Sequence, residues 1–294
     1  MALAPYPSVA SEDAHKMQEK KRVEVPIHLP PGTSEYKYSG FEDMEKAVSE
    51  AYDRFINHNQ SPLVLFTAVP PEEVEQNPDN FPGKLDYYPT LHILVLSIPS
   101  FPHEVAAGVF EQLMTLKAIE RGVRRSLSPR GSTTAKTPSR QKDPDKSWSP
   151  YPSSLPPGRS LDWPTVALEV AFSESSGQLK QDMGWWLNAS NGDVFSTISI
   201  DIKRQSGDIY ISTWEQGGIP TRQHPNPEPR ARQNIAVYRG GNGQDPTVMM
   251  DGDLRIPFHE LLLRNPGQGE SDFTFTREDI LEIATGTWDA MGLS

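Results

Sequence analysis

The sequence predicts an α/β chain whose mixed central β-sheet is flanked by helices. Three observations carry this. Short branched apolar runs such as PLVLFTAV and LHILVLSI have strand length and strand composition. Longer stretches such as FEDMEKAVSEAYDRFINHN place apolar residues at helical spacing. The two kinds then alternate irregularly along the chain, without a repeat period, as a mixed sheet with interleaved helices requires.

Residues 1–38 are rich in Pro, Ser and charge without periodicity, which predicts a flexible N-terminal arm ahead of one domain over 39–294. The first helix presents Met44, Ala47, Val48, Ala51, Phe55 and Ile56, and PLVLFTAV follows as a strand. Pro70 to Tyr88 is proline- and acid-rich and reads as loop. Leu91 to Ile98 reads as a strand, followed by a helix that Ser100 can cap and Pro102 can begin. The expected buried side of that helix is Val105, Val109, Leu113 and Leu116, with Met114 as a further candidate, and His103 and Glu104 stand in its first turn, where the helix dipole favours a carboxylate. SLSPRGSTTAKTPSRQ then predicts a low-complexity loop over 126–142.

In WPTVALEVAFSESSGQLKQDMGWWL a strand runs directly into an amphipathic helix. Alternation places Val166, Leu168, Val170 and Phe172 on one face and Thr165, Ala167, Glu169 and Ala171 on the other. Small neighbours leave room beside Glu169, and an unpaired carboxylate in so apolar a strand costs several kcal/mol. Glu169 therefore needs a partner: an arginine, solvent, or an ion. The following helix buries Leu179, Met183, Trp186 and Leu187, with Lys180 and Asp182 beside that stripe and Ser173 or Ser175 as its cap. DVFSTISIDIKR and GDIYISTWE form a hairpin, NIAVYR and LRIPF are further strands, and a last helix is capped by Thr276.

Composition narrows the function classes. The absence of cysteine excludes disulfides, thiolate metal sites and cysteine nucleophiles. The seven histidines lack zinc spacing, and neither a G-x-S-x-G elbow nor a dinucleotide glycine fingerprint is present. No apolar run has membrane-spanning length and no signal-peptide core is visible, so the expectation is a soluble intracellular protein of cytoplasm or nucleus. A net charge of -11 argues against sequence-blind nucleic-acid binding, yet nine Lys and Arg residues fall between Lys117 and Lys146. That window is either a basic patch for DNA or RNA or an ordinary solvated loop.

What remains is acidic chemistry. Pro144-Asp145 begins one short strand and Glu169 lies within a longer adjacent one, an arrangement that can hold a hard divalent cation through oxygen ligands. Here LSIPSFPHE, KDPDKSWSP and WPTVALEVAFSESSGQLKQDMGWWL follow one another in the order seen in the PD-(D/E)xK, or restriction-endonuclease-like, superfamily, and the chain most resembles its divergent fungal branch. The resemblance covers roughly Leu91 to Glu215. It implies a restriction-endonuclease-like fold, Asp145 and Glu169 binding Mg²⁺ or Mn²⁺, Glu104 reaching the site from its helix, and phosphodiester hydrolysis in nucleic acid. A lysine should stand two residues after the acid, where this chain has Ala171. Lys180 on the following helix is the candidate replacement, with Lys142 as a second. The alternative is a catalytically degenerate nuclease fold that binds or regulates.

Overall fold

The computed structural model describes residues 29–293 except 59, 78–79, 173–176 and 242–243. Residues 1–28 of the expected arm and the Ser173 or Ser175 cap lie outside the described residues. Among the described residues no helix is long and apolar enough to cross a membrane.

The chain opens with β1 (Ser34–Lys37), α1 (Phe41–His58), β2 (Leu63–Thr67), α2 (Pro71–Gln76), β3 (Lys84–Tyr88) and β4 (Ile93–Ser97). Two expectations are corrected here. The arm does not extend to Tyr38, because Ser34 to Lys37 pairs in parallel with β2. The Pro70–Tyr88 segment is not loop throughout: Pro71 sits at the favoured first position of a short helix, and KLDYY pairs antiparallel with β4. Sequence alternation in KLDYY was masked because both faces of β3 are buried, one with charged side chains. α1 covers one face of this sheet, setting Met44, Val48 and Ala51 with Val64, Phe66, Tyr87 and Leu94 in a common core.

Next come α3 (Phe101–Glu120), β5 (Leu127–Pro129), β6 (Ala135–Lys136), β7 (Gln141–Lys142) and β8 (Lys146–Pro150). Ser100 caps α3 as expected, its side chain accepting from His103 N. The buried side agrees with expectation at Leu113 and Met114 but is otherwise made by His103, Ala106, Ala107, Phe110 and Lys117, while Leu116 is exposed. Aromatic packing sets this rotation, since Phe110 stacks on Phe275 and approaches Trp148, and Lys117 pairs with Asp279. The turned helix points His103 inward. The low-complexity stretch 126–142 is ordered too, for β7 pairs with β3 and β6, and β5 pairs with β8. Its polar composition hides the reason, which is that Arg140 and Lys142 are buried by pairing with acids rather than by apolar packing.

The second half contains β9 (Val166–Phe172), α4 (Gly177–Ala189), β10 (Ser196–Ile202), β11 (Ile209–Glu215), β12 (Arg230–Tyr238), β13 (Thr247–Met249), β14 (Leu254–Ile256), α5 (Phe258–Leu262), β15 (Phe273–Phe275) and α6 (Arg277–Met291). The strand–helix–strand unit β9–α4–β10 is parallel, and β10 and β11 form the expected antiparallel hairpin. The order β13-β12-β11-β10-β9-β8-β5 makes a seven-stranded sheet, with β1-β2-β4-β3-β7-β6 as a second sheet of six.

Both faces of the larger sheet are covered, so β10 is buried along its whole length even where it carries Ser, Thr and Asp. On one face Val166, Leu168, Ile198, Ile200 and Ile211 pack with α3, α5 and α6. On the other, Ala167 meets Leu179, Met183, Trp186 and Leu187 of α4, the stripe read from the sequence. α6 carries a capping box in which Thr276 and Asp279 bond each other's backbone. The architecture is thus mixed α+β, with sheets flanked by helices.

Candidate active site

Strand register brings the two acids together. β8 runs antiparallel to β9 with Lys146 opposite Leu168, which brings Asp145, just ahead of β8, alongside Glu169. Two bonds that straddle Glu169 hold it there: Asp145 N donates to Leu168 O at 3.1 Å, and Val170 N donates to Asp145 Oδ2 at 2.5 Å. Both acids line a cavity of about 100 Å³ between the two sheets, enough for a few waters. Ala171, two residues beyond Glu169 on its face, lines that space and leaves it open, while Ala167 packs under α4.

Each acid has its own cations. Asp145 Oδ1 accepts from Lys84 Nζ at 2.5 Å, and His103 Nε2 lies 3.1 Å from Oδ2. His103 Nδ1 lies 3.1 Å from Oε1 of half-exposed Glu104, so one imidazole links the cavity to the surface. Glu169 Oε1 accepts from Trp186 Nε1 at 2.6 Å and lies 3.5 Å from Lys142 Nζ. Lys142 Nζ is also 3.3 Å from Asp182 Oδ2, while Oδ1 of Asp182 accepts from Arg140 Nη2 at 2.6 Å. Arg140 in turn binds both oxygens of Asp86, each at 2.7 Å. Asp143 closes the ring, accepting from Thr134 Oγ1 and Leu85 N.

The cluster therefore holds six carboxylates (Asp86, Glu104, Asp143, Asp145, Glu169 and Asp182) against Lys84, His103, Arg140 and Lys142. Negative charge is in excess. Its distribution is uneven. Burial would raise Asp145, but the charges of His103 and Lys84 outweigh it and hold this carboxyl well below the ordinary range. Burial pushes Glu169 up to about 8, against the pull of Lys142, because Asp145 and Asp182 repel its charge. Burial disfavours the Lys142 ammonium, yet Asp182 and Glu169 raise its pKa. These two shifts conflict if read as one pair, since a neutral Glu169 would not hold up Lys142. The charge count settles the direction: Lys142 faces two carboxylates, whereas Glu169 faces one ammonium and two carboxylates. His103 is lowered by burial and raised more strongly by Asp145, reaching about 9, so it is an imidazolium near neutrality.

Of the residues singled out in the sequence, Asp145 and Glu169 converge, Glu104 stands at the rim, and Lys180 does not join them. α4 turns Lys180 outward, where its ammonium meets Glu228 at 2.9 Å on the surface, while Asp182, two residues on, is buried at the cavity. The ammonium beside Glu169 belongs to Lys142. Accordingly Lys180→Ala should leave the melting temperature unchanged while Lys142→Met, which strips a buried ammonium from two carboxylates, lowers it; an equal drop in Lys180→Ala would reverse this assignment. Sequence reasoning missed the roles of Lys84, His103, Arg140 and Trp186. The alternating K-x-D-x-Y of β3 was the available signal for Lys84 and Asp86.

The basic window is largely turned inward. Lys117 pairs with Asp279, Lys146 with Glu111, and Arg121 binds Asp272 O and Thr274 Oγ1, while Arg140 and Lys142 serve the cavity. Arg124, Arg125 and Lys136 remain exposed.

No protein-family model and no curated protein matches the chain. Among solved structures it is similar to a candidate nuclease of DUF820 from Anabaena variabilis, with a TM-score of 0.38 and 10% identity, over 68% of this chain and 90% of that one.

Proposed function

We propose that the cavity is a metal-dependent centre of the PD-(D/E)xK kind that hydrolyses phosphodiester bonds in nucleic acid. The observation that carries the reading is the convergence of Asp145, just ahead of β8, and Glu169 of β9 in one cavity of excess negative charge, with the Lys142 ammonium 3.5 Å from Glu169. The donor set fits a hard divalent ion: Asp145 and Glu169 offer only oxygen, and the raised pKa of Glu169 marks a charge that a cation would relieve. Mg²⁺ or Mn²⁺ held there would lower the pKa of a bound water and stabilise charge on phosphate oxygens. Lys142 takes the part that Ala171 cannot, holding positive charge where a nucleophilic water and a scissile phosphate would meet. Glu104 and His103 form a path for a proton between cavity and solvent, since both imidazole nitrogens contact carboxylates. Within the basic window, exposed Arg124, Arg125 and Lys136 and half-buried Arg130 are the cations left to meet a phosphate backbone.

A second reading, a degenerate nuclease fold acting in binding or regulation, is favoured by the state of Asp145. A carboxylate has about four acceptor sites, and Lys84, His103 and Val170 N use three on Asp145. Among the described residues no three His, Asp or Glu side chains form a ready-made metal cage. A cation on Asp145 would have to displace or tolerate Lys84.

One experiment separates the readings. Purified protein, Asp145→Ala and Glu169→Ala are incubated with mixed DNA and RNA and Mg²⁺ or Mn²⁺, and each is titrated calorimetrically with Mn²⁺. The catalytic reading expects cleavage by the wild type, a drop of at least about 10³-fold in both variants, and loss of Mn²⁺ binding. Cleavage that survives both substitutions, or a wild type that binds no Mn²⁺, would remove it.

A further inference from the structure

Resting on the reading of the cavity as a hydrolytic centre, we infer that Asp182 is a positioning residue that fixes the Lys142 ammonium beside Glu169, and that Arg140 holds Asp182 for that task. Lys142 lies on a two-residue strand and carries a flexible four-carbon stem. Among the described residues, Glu169 at 3.5 Å and Asp182 at 3.3 Å are the carboxylates in salt-bridge contact with it. They come from different elements, β9 and α4. The ammonium therefore stays beside Glu169 only while α4 keeps Asp182 in place.

Asp182 is itself held on its other oxygen. Oδ1 accepts from Arg140 Nη2 at 2.6 Å and from Gln178 Nε2 at 3.2 Å, which leaves Oδ2 aimed at Lys142. Arg140 cannot drift, because Nε and Nη2 bind Asp86 and its guanidinium carbon lies 5.3 Å from the Tyr88 ring and 5.0 Å from the Trp185 ring. Its backbone is pinned as well: Arg140 N donates to Thr137 Oγ1 at 2.9 Å. A rigid line thus runs from β3 through Arg140 to α4 and back to Lys142.

Stability alone does not call for this construction. Buried charge networks are commonly no more stable than apolar residues of the same volume, so their retention points to a geometric demand. Arg140 is already satisfied by its two-point pair with Asp86. The added bond to Asp182 constrains the carboxylate more than it helps the guanidinium. Hydrolysis supplies the demand, because a catalytic ammonium misplaced by about 1 Å can cost about 10²-fold in rate.

Asp182→Asn tests this with the full-length protein. The amide keeps the shape and an oxygen for Arg140 but removes the charge that faces Lys142. With Mg²⁺ or Mn²⁺ and DNA, kcat should fall about 10- to 100-fold while KM changes less than about 2-fold. In parallel, NMR of lysine side-chain ammonium groups should show a slowly exchanging signal in the wild type, assigned to Lys142 by its loss in Lys142→Met, and that signal should disappear in Asp182→Asn. A retained Lys142 signal, or a cleavage defect confined to KM, overturns the inference. Should the wild type cleave nothing, the hydrolytic reading fails while the NMR signal still decides whether Asp182 positions Lys142. Trp185→Leu loosens the clamp on Arg140 without removing a charge. It should weaken the signal and lower kcat several-fold, and no change in either would count against the proposal even if Asp182→Asn fails to fold.

Discussion

Arg140→Met is expected to destabilise the protein by about 3–5 kcal/mol, the cost of removing one partner from a buried ion pair. The guanidinium is buried and binds Asp86 at two points and Asp182 at a third. Burial opposes its charge, but Asp86 and Asp182 overcome that opposition and raise its pKa well above the ordinary value. Methionine fills most of the volume and retains contact with Tyr88 and Trp185, so the loss reports charge rather than packing. Two carboxylates would then sit in a low-dielectric setting with Lys142 as their nearest remaining cation. Since domains commonly have only about 5–15 kcal/mol of stability, denaturant unfolding should show a markedly lower midpoint. A midpoint shift equivalent to less than about 1 kcal/mol would mean that water reaches these acids and that the network is not a dry one.

The pH dependence of stability should carry a signature of Glu169, and Glu169→Gln should erase it. An acid whose pKa is raised by folding binds more protons in the native than in the unfolded state between its two pKa values, so stability falls as pH rises through that window. For Glu169 the window runs from the ordinary value of 4.5 to about 8. Asp145 acts oppositely: its depressed pKa contributes stability that is present above the ordinary carboxylate range and lost as pH falls below it. Wild-type stability should therefore decline on both sides, with the decline between about pH 4.5 and 6.5 assigned to Glu169 and that from 6.5 upward shared with His103, whose raised pKa acts in the same sense. In Glu169→Gln the amide keeps the shape, Lys142 keeps Asp182, and stability at pH 8 should rise by a few kcal/mol while the acid limb persists. Cleavage should be lost in the same variant, the trade expected where function maintains an unfavourable charge. Unfolding curves at pH 5 to 8 decide the point. A variant less stable than wild type at pH 8 would show Glu169 to be an ordinary partner of Lys142.

The legibility of this chain varied with the kind of burial. Where apolar side chains made the contacts, periodicity was enough: α1 apart from the exposed Ile56, β9, the α4 stripe and the Thr276 cap stand as the pattern indicates. Where charges were buried, it failed. β3 and the 126–142 stretch read as loops because Lys84, Asp86, Arg140 and Lys142 look like surface residues until their partners are known. α3 was placed correctly and Leu113 and Met114 are buried as expected, but Val105, Val109 and Leu116 give way to a face of alanines, Phe110 and His103. Of the two lysines that the sequence offered, Lys142 and not Lys180 stands beside Glu169, for a related reason. Lys180 and Asp182 sit two apart on a helix and so face different sides, and sequence alone does not say which side meets the cavity.

By itself the sequence determined the strand-to-helix unit that presents Glu169, the small residues that leave space beside it, and Asp145 as its companion, because alternation and residue size are local properties. Only the tertiary structure decided which cations answer these acids. Lys84 arrives from β3, His103 from α3, and Lys142 and Arg140 from the β7 region, all through pairings between segments distant in the chain. Charge compensation acts through space over a few ångströms and leaves no periodic trace along the chain, so it becomes visible only once both sheets are assembled around the cavity.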